Sequence, residues 1–464
     1  MIYALGIIFL FAFYFFLLFF YKDKSITINL NALNNIDDFR FPKNFLWGTS
    51  TSSYQIEGNI RNNNWWLFEA NIQKKKIKTM HQYPESCLHW EKYKEDIQIM
   101  KRIGVNAYRF SLEWSRIQPE ENVFDENAIQ HYSDIIDELI KNDIKPMVTL
   151  HHFTNPIWFE EKGAFLNDEA SKLFLNYIEQ VIKAFKDRIE LWCTFNEPSI
   201  YALNGYFTGL YPPGQKNVKI AAKVYGNILR THSQVYNLIK SISPTSQVGL
   251  VLNYIIFEAP HPFNIMDVIA ARYLNESIND SQLKYLQTGE FKFFFPLIVN
   301  EKFSTNHKES FDFIGLNYYT RSFLKFRLNK KKMFEVLISE SKNGHSDLNW
   351  EIYPEGLYRA LYRIKKFTDK PIYITENGIA DALDTKRGKF ITDHLNVLIK
   401  AIADGYDIRG YFHWTLLDNY EWVDGFDAKF GLVEVNLHTQ ERKIKESAKI
   451  YSEIIYKYSQ TDSF

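Results

Sequence analysis

Eight short apolar, β-favouring runs separated by amphipathic helical patterns constrain this chain more than any other feature. The runs are the segment leading to Gln55, then Ala107–Trp114, Pro146–His152, Ile189–Asn196, Val248–Tyr254, Phe311–Tyr319, Ile372–Glu376 and Gly410–Leu416. Between them, apolar residues recur at helical spacing over Tyr93–Ile103, Ala128–Lys141, Lys172–Lys186, Ala221–Ile239, Leu357–Phe367 and Leu395–Ala403, and Lys445–Tyr456 closes the series. Continuous apolar runs suit strands buried on both faces, and strands that alternate with helices pair in parallel. Eight such units predict an α/β protein built as one closed (β/α)8 barrel. An open doubly wound sheet would usually show a glycine-rich first turn, which is absent here.

A parallel barrel gathers its functional groups at the carboxyl ends of its strands. Two of the runs end in a carboxylate. PIYITENG, Pro371–Gly378, breaks off at Glu376, and IELWCTFNEP, Ile189–Pro198, ends at Glu197 with Pro198 barring continuation. Alone, Asn377-Gly378 is a hairpin signal. The next periodic segment is helical, however, beginning near Thr392, so Glu376 is expected to end a strand that crosses over through a helix.

Net charge is zero over 464 residues, so no global field draws in nucleic acid or anionic substrates, and no nucleic-acid partner is expected. The two cysteines, Cys87 and Cys193, do not suggest a disulfide framework. No Walker loop, GxGxxG, CxxC or HExxH motif occurs, and neither cofactor nor metal is expected. Aromatic residues make up 17% of the chain, which leaves a large core and sugar-stacking rings equally open.

Residues 2–21, IYALGIIFLFAFYFFLLFFY, are long and apolar enough to span a bilayer. A cleaved signal peptide is the competing reading, but the run has no basic leader and no Ala-x-Ala-like site. The expected organisation is therefore a transmembrane anchor over 1–21, a polar tether over 22–40 and the barrel over 41–464. Lys22 and Lys24 after the anchor place the barrel on the cytoplasmic side. Basic stretches at Lys74–Lys78 and Lys330–Lys332 read as solvated faces.

From about Phe41 to Tyr458 the chain resembles glycoside hydrolase family 1, the retaining β-glucosidases and their relatives. The motifs that carry the resemblance are, in order, FLWGTSTSSYQIEG, YRFSLEWSRI, TLHHFTNPIWF, TFNEP, GLNYYTR, WEIYPEGLY, ITENG, and YFHWTLLDNYEW followed by FGLVEVN. The resemblance implies that Glu376 is a nucleophile and Glu197 an acid/base. It also implies that Gln55, His152, Asn196, Glu421 and Trp422 line the subsite of the non-reducing sugar, with the ring of Trp414 against the pyranose face. Each of these has a structural alternative, as a satisfied strand-end polar group or a core ring. Phe153 departs from the pattern, standing where many members have Trp, and the segment from Trp66 to His89 matches poorly.

Hydrolysis with retention needs two carboxyls about 5 Å apart, one ionised and one protonated, so their pKa values must be pushed apart. Arg109 is the candidate for keeping Glu376 ionised, against the alternative of a structural ion pair, and Tyr319 is the candidate hydrogen-bond donor to it. The expected function is a retaining β-glycosidase, first of all a β-glucosidase, acting on a small-molecule β-glycoside. The alternatives are a transglycosidase using the same carboxylates and a catalytically idle sugar-binding protein. A carboxylate at Glu421 facing the 4-OH and 6-OH would repel a 6-phosphate.

Overall fold

A computed structural model describes residues 13–16, 19, 39–72, 78–327, 334–338 and 341–459. Eight parallel strands close into a barrel: β1 Leu46–Ser50, β2 Ala107–Ser111, β3 Lys145–His151, β4 Leu191–Asn196, β5 Gln247–Asn253, β6 Phe313–Asn317, β7 Ile372–Asn377 and β8 Ile408–Trp414. They follow one another in chain order around the barrel. Closure comes from β1 against β8, in register from Leu46 opposite Gly410 to Ser50 opposite Trp414. The outer ring is formed by α1 His89–Ile103, α2 Glu126–Lys141, α3 Ala170–Phe185, α4 Val218–Ile242, α5 Ser281–Thr288, α6 Glu355–Lys365, α7 Arg387–Ala403 and α8 Glu446–Ser459.

Inside the barrel, Ala107, Met147, Leu191, Cys193, Val251, Phe313, Tyr373 and Phe412 form a separate apolar plug. Large rings are accommodated because their neighbours are glycines. A Cβ at Gly48 would lie 2.3 Å from the Phe412 ring, and one at Gly249 2.4 Å from that of Phe313. The plug fills the lower barrel, leaving the carboxyl ends of the strands as the place where polar groups converge. Cys87 and Cys193 are buried free thiols.

All eight expected strands are present, with shifted ends. The second run was expected to reach Trp114, but that residue opens a short helix, Trp114–Ile117, whose Trp114, Ser115 and Ile117 are buried. Between β5 and β6 the sequence shows no helical period, yet the structure has Ile265–Leu274, α5, and the hairpin Glu290–Phe295/Val299–Ser304. The pattern is masked because these helices bury polar side chains, among them Asp267, Ser281 and Gln282. Helix α7 begins five residues before Thr392 for a related reason. Arg387 is fully buried, its Nη2 donating to the carbonyls of Asp381 and Lys429 at 2.7 Å each.

Among the described residues no helix is long and apolar enough to cross a membrane. Most of the expected anchor, nearly all of the expected tether and most of both basic stretches lie outside the described residues. Phe13–Phe16 and Phe19 are helical, and Phe15, Phe16 and Phe19 are more than half exposed.

Candidate active site

Both strand-end glutamates are aimed by local departures from regular strand geometry. After β4 the backbone turns left-handed at Glu197, φ 47°, and Pro198 then begins the helix Pro198–Leu203 at a position where its missing N–H costs nothing. On β7 the pairing with β6 shifts register between Ile374 and Glu376. Such bulges re-aim a side chain at the rim of a barrel.

Arg109, on β2, is fully buried beneath them. Its Nη1 donates to Glu376 Oε1 at 2.6 Å, Nη2 to Asn196 Oδ1 at 2.7 Å, and Nε to Thr149 Oγ1 at 3.1 Å. The other oxygen of Glu376 accepts from the hydroxyl of Tyr319 at 2.6 Å. Glu197 has different neighbours. Its Oε1 accepts from two neutral amides, Asn253 Nδ2 at 2.9 Å and Asn317 Nδ2 at 2.8 Å. Asn317 also donates to Asn196 Oδ1 at 3.1 Å and accepts from the Thr375 hydroxyl at 2.7 Å, linking the two halves of the site.

These surroundings set the two carboxyls apart. Burial pushes Glu197 up, and the charge of Glu376 adds to it; the amides and the more distant Arg109 pull back, leaving it at about 7. Glu376 is also raised by burial, but Arg109 in direct contact and the Tyr319 hydroxyl oppose the rise. The guanidinium and the phenol in contact with Glu376 favour its charged form, whereas Glu197, with no cation in contact, lies near its titration point at neutral pH.

The remaining expected residues form one connected set with this pair. Asn196 Nδ2 donates to His152 Nε2 at 3.1 Å, which leaves the proton on Nδ1, a buried atom without a partner among the described residues. The His152 ring lies nearly parallel to Trp414 and Trp422, with centroids at 5.9 and 6.2 Å. Trp414 Nε1 and Gln55 Nε2 both donate to Glu421 Oε2, at 3.5 and 3.3 Å, and Gln55 also donates to the Tyr420 carbonyl at 2.6 Å. Glu421 departs from the ionised carboxylate expected: burial, then Asp424, pushes it up to about 8, which favours its protonated form at neutral pH.

Asn253 and Asn317 escaped the sequence reading of the site. Each is the last residue of a strand, and Asn317 lies inside the GLNYYTR motif, so the signal was present. An amide ending an apolar run is too common to single out. The two departures from the motif pattern are both packed. Phe153 adopts φ 71° and sets its ring against Tyr211 and Trp422. Within Trp66–His89, Glu69 ties the segment in by accepting from Tyr54 at 2.7 Å and from the Met80 amide at 2.6 Å. No group of three or more His, Cys, Asp or Glu side chains suited to a metal ion occurs among the described residues.

A carboxyl raised in the folded state favours folding while it stays protonated, and that contribution is lost as pH rises through the folded value. For Glu197 the loss falls between about pH 5 and 8 and is of the order of 3 kcal/mol, since each pKa unit is about 1.4 kcal/mol. Glu197→Gln should therefore melt several degrees above the wild type at pH 9 and close to it at pH 5. Thermal melts at the two pH values check this; equal differences at both would contradict the raised carboxyl.

The family model "Glycosyl hydrolase family 1" matches residues 38–460. A 1,4-beta-D-glucan glucohydrolase of Thermotoga neapolitana is 33% identical over 447 residues, covering 91% of this chain and all of the relative. Among solved structures, a beta-glycosidase from Pyrococcus horikoshii superposes with a TM-score of 0.82 at 40% identity, over 91% of this chain and 99% of that one. A beta-glucosidase from Thermotoga maritima in complex with glucoimidazole also gives a TM-score of 0.82, at 31% identity over 90% and 99%.

Proposed function

The chain belongs to glycosyl hydrolase family 1, and from that premise we propose that it is a retaining β-glycosidase, a β-glucosidase in the first place, working through a covalent glycosyl-enzyme intermediate. The observation that carries this reading is the unequal treatment of two neighbouring carboxyls. Glu376 is held by a cation and a phenol, whereas Glu197 is held by two neutral amides and raised to about 7. Glu376 attacks the anomeric carbon while Glu197 gives its proton to the departing oxygen. Once Glu376 is esterified its negative charge is gone, and with it part of what raised Glu197. The acidity of Glu197 then increases, and as a carboxylate it takes a proton from the water that attacks the ester. Arg109 and Tyr319 are the positioning partners of Glu376 throughout.

In this reading Gln55, His152, Asn196, Glu421 and Trp422 receive the hydroxyls of the terminal sugar, and Trp414 lies against its apolar face. The unpartnered Nδ1–H of His152 and the raised carboxyl of Glu421 support it, because a buried donor and a buried acid are both satisfied by a sugar hydroxyl. A transglycosidase would use the same two carboxyls, and partition between water and an alcohol acceptor decides between them. An idle sugar-binding protein would not require a buried arginine on one carboxylate and a raised pKa on the other. Aryl and alkyl β-glycosides, with products analysed with and without added alcohol, test all three; absence of any turnover would refute the enzymatic reading.

Discrimination against a 6-phosphate does not rest on the charge of Glu421 alone, because its carboxyl is pushed up to about 8. The charges that act on Glu421 are Asp424 and Glu376, both acidic, and a phosphate there would enter a buried pocket of like charge. Plain β-glycosides should exceed their 6-phospho counterparts in kcat/KM by at least roughly 100-fold, equivalent to about 2.7 kcal/mol. Comparable rates would remove Glu421 from the sugar's 6-position.

The apolar run 2–21 is read as an anchor that holds the barrel to a membrane, with cytoplasmic orientation from Lys22 and Lys24. The exposed rings of Phe15, Phe16 and Phe19 support it, since large apolar side chains on a helix surface are more stable in lipid than in water. Full-length protein should sediment with membranes, and a chain starting near Asn31 should stay in the supernatant with unchanged activity. Cleavage of the barrel by protease added outside intact cells would reverse the orientation.

A further inference from the structure

Beside the two carboxyls lies a cavity of about 430 Å³, bordered by Asn253 and Tyr319. Those two residues donate to Glu197 and Glu376, respectively. None of the residues that receive the terminal sugar in the reading above borders this cavity, so a group in it belongs to the leaving-group side of the bond that breaks.

The wall consists of Ile255, Val336, Leu337, Ile338, Leu348 and Trp350. Its charged residues are engaged with one another: Arg321 forks onto Glu351 with bonds of 2.8 and 2.9 Å and reaches Glu258 at 2.8 Å. The Thr320 hydroxyl donates to the Glu351 carbonyl at 2.8 Å. Ser322 and Asn349 complete the polar lining. The surface offered to a ligand is thus mainly apolar, in a volume typical of small-molecule sites.

At the rim, Val336 and Ile338 are 66% and 68% exposed. Strand Phe334–Leu337 is the outer member of a three-stranded sheet with Arg321–Phe326 and Ile256–Glu258. Exposed aliphatic side chains on an edge strand invite aggregation unless something covers them. They stand where the tail of a leaving group would emerge.

We propose that the substrate of this site is a β-glycoside of a long-chain aliphatic alcohol, whose alkyl chain lies along Ile255, Leu348 and Trp350 and leaves over Val336 and Ile338. The proposal rests on the glycosidase reading above. It names the leaving group, which that reading leaves open.

Ethyl, butyl, hexyl and octyl β-glucosides, each below its micelle-forming concentration, test it. The leaving alcohols differ little in acidity, so a change in rate along the series reports contact with the chain. Complete burial of a methylene corresponds to about fourfold, and a chain with one side to water to about twofold, which gives roughly 60-fold in kcat/KM from ethyl to octyl. Val336→Asp with Ile338→Asp should reduce the octyl-to-ethyl ratio at least roughly tenfold. A flat series in the wild type would overturn the proposal, and hydrolysis of ethyl glucoside in that same experiment would leave the glycosidase reading standing. A flat series together with concentration-dependent self-association abolished by the double substitution would instead assign the face to a second copy of the chain. For the source of the substrate, full-length protein is offered octadecyl β-glucoside in phosphatidylcholine vesicles beside free octyl β-glucoside. Turnover of the first assigns a membrane-held glycoside, and turnover of the second alone a water-borne one.

Discussion

Glu376→Ala is expected to abolish turnover of β-glycosides, because no covalent intermediate forms without the attacking oxygen. The loss is expected in kcat for good and poor leaving groups alike, since each must displace onto the same atom. In the wild type, a 2-fluoro glycoside should trap the sugar on a peptide containing Glu376, and a label on any other residue would refute the assignment. The substitution also leaves Arg109 buried without its carboxylate, a change that typically costs about 3–5 kcal/mol. Arg109 keeps its bonds to Asn196 and Thr149, so the barrel should fold with a lowered melting temperature. Azide, small enough for the vacated space, should restore reaction with inversion at the anomeric carbon. A variant that stays folded and still turns over β-glycosides with retention would show that another group is the nucleophile.

Glu197→Gln has its largest effect on substrates whose leaving oxygen needs a proton. Alkyl β-glycosides should slow by roughly 10²- to 10⁴-fold in the glycosylation step, the range typical of general acid catalysis. Activated aryl glycosides leave as stabilised anions and should slow much less in that step. Their steady-state rates should fall through the second step, where the amide cannot act as a base. The wild-type pH profile gives an independent check: kcat/KM should decline as pH rises above about 7, where the acid is lost. In the glutamine variant that decline should vanish. Equal slowing of alkyl and activated substrates in single-turnover glycosylation would exclude Glu197 as the acid.

The eight strands and the strand-end positions of Glu197 and Glu376 were legible because they are written in short stretches of chain. An apolar run of a few residues stopped by Pro or Gly specifies a buried strand without reference to anything distant. The run of polar burial at Asp267, Ser281 and Gln282 was not legible, because those side chains are satisfied inside the fold and imitate surface residues in a pattern of apolar and polar positions. The shifted starts of α7 and of the helix at Trp114 have the same origin, in burial that no local periodicity announces.

The protonation of the site belongs to the tertiary structure. The partner of Glu376 is Arg109, 267 positions away in the chain, and the amides on Glu197 come from Asn253 and Asn317, 56 and 120 positions away. The sequence by itself determined that a parallel barrel would carry two glutamates at the ends of its strands. Which of them faces a cation, that the carboxyl of Glu421 is pushed upward, and that an apolar cavity opens beside the pair were decided only by folding. A pKa depends on desolvation and on charges a few ångströms away in space, and closing the barrel brings those neighbours together from strands far apart in the chain.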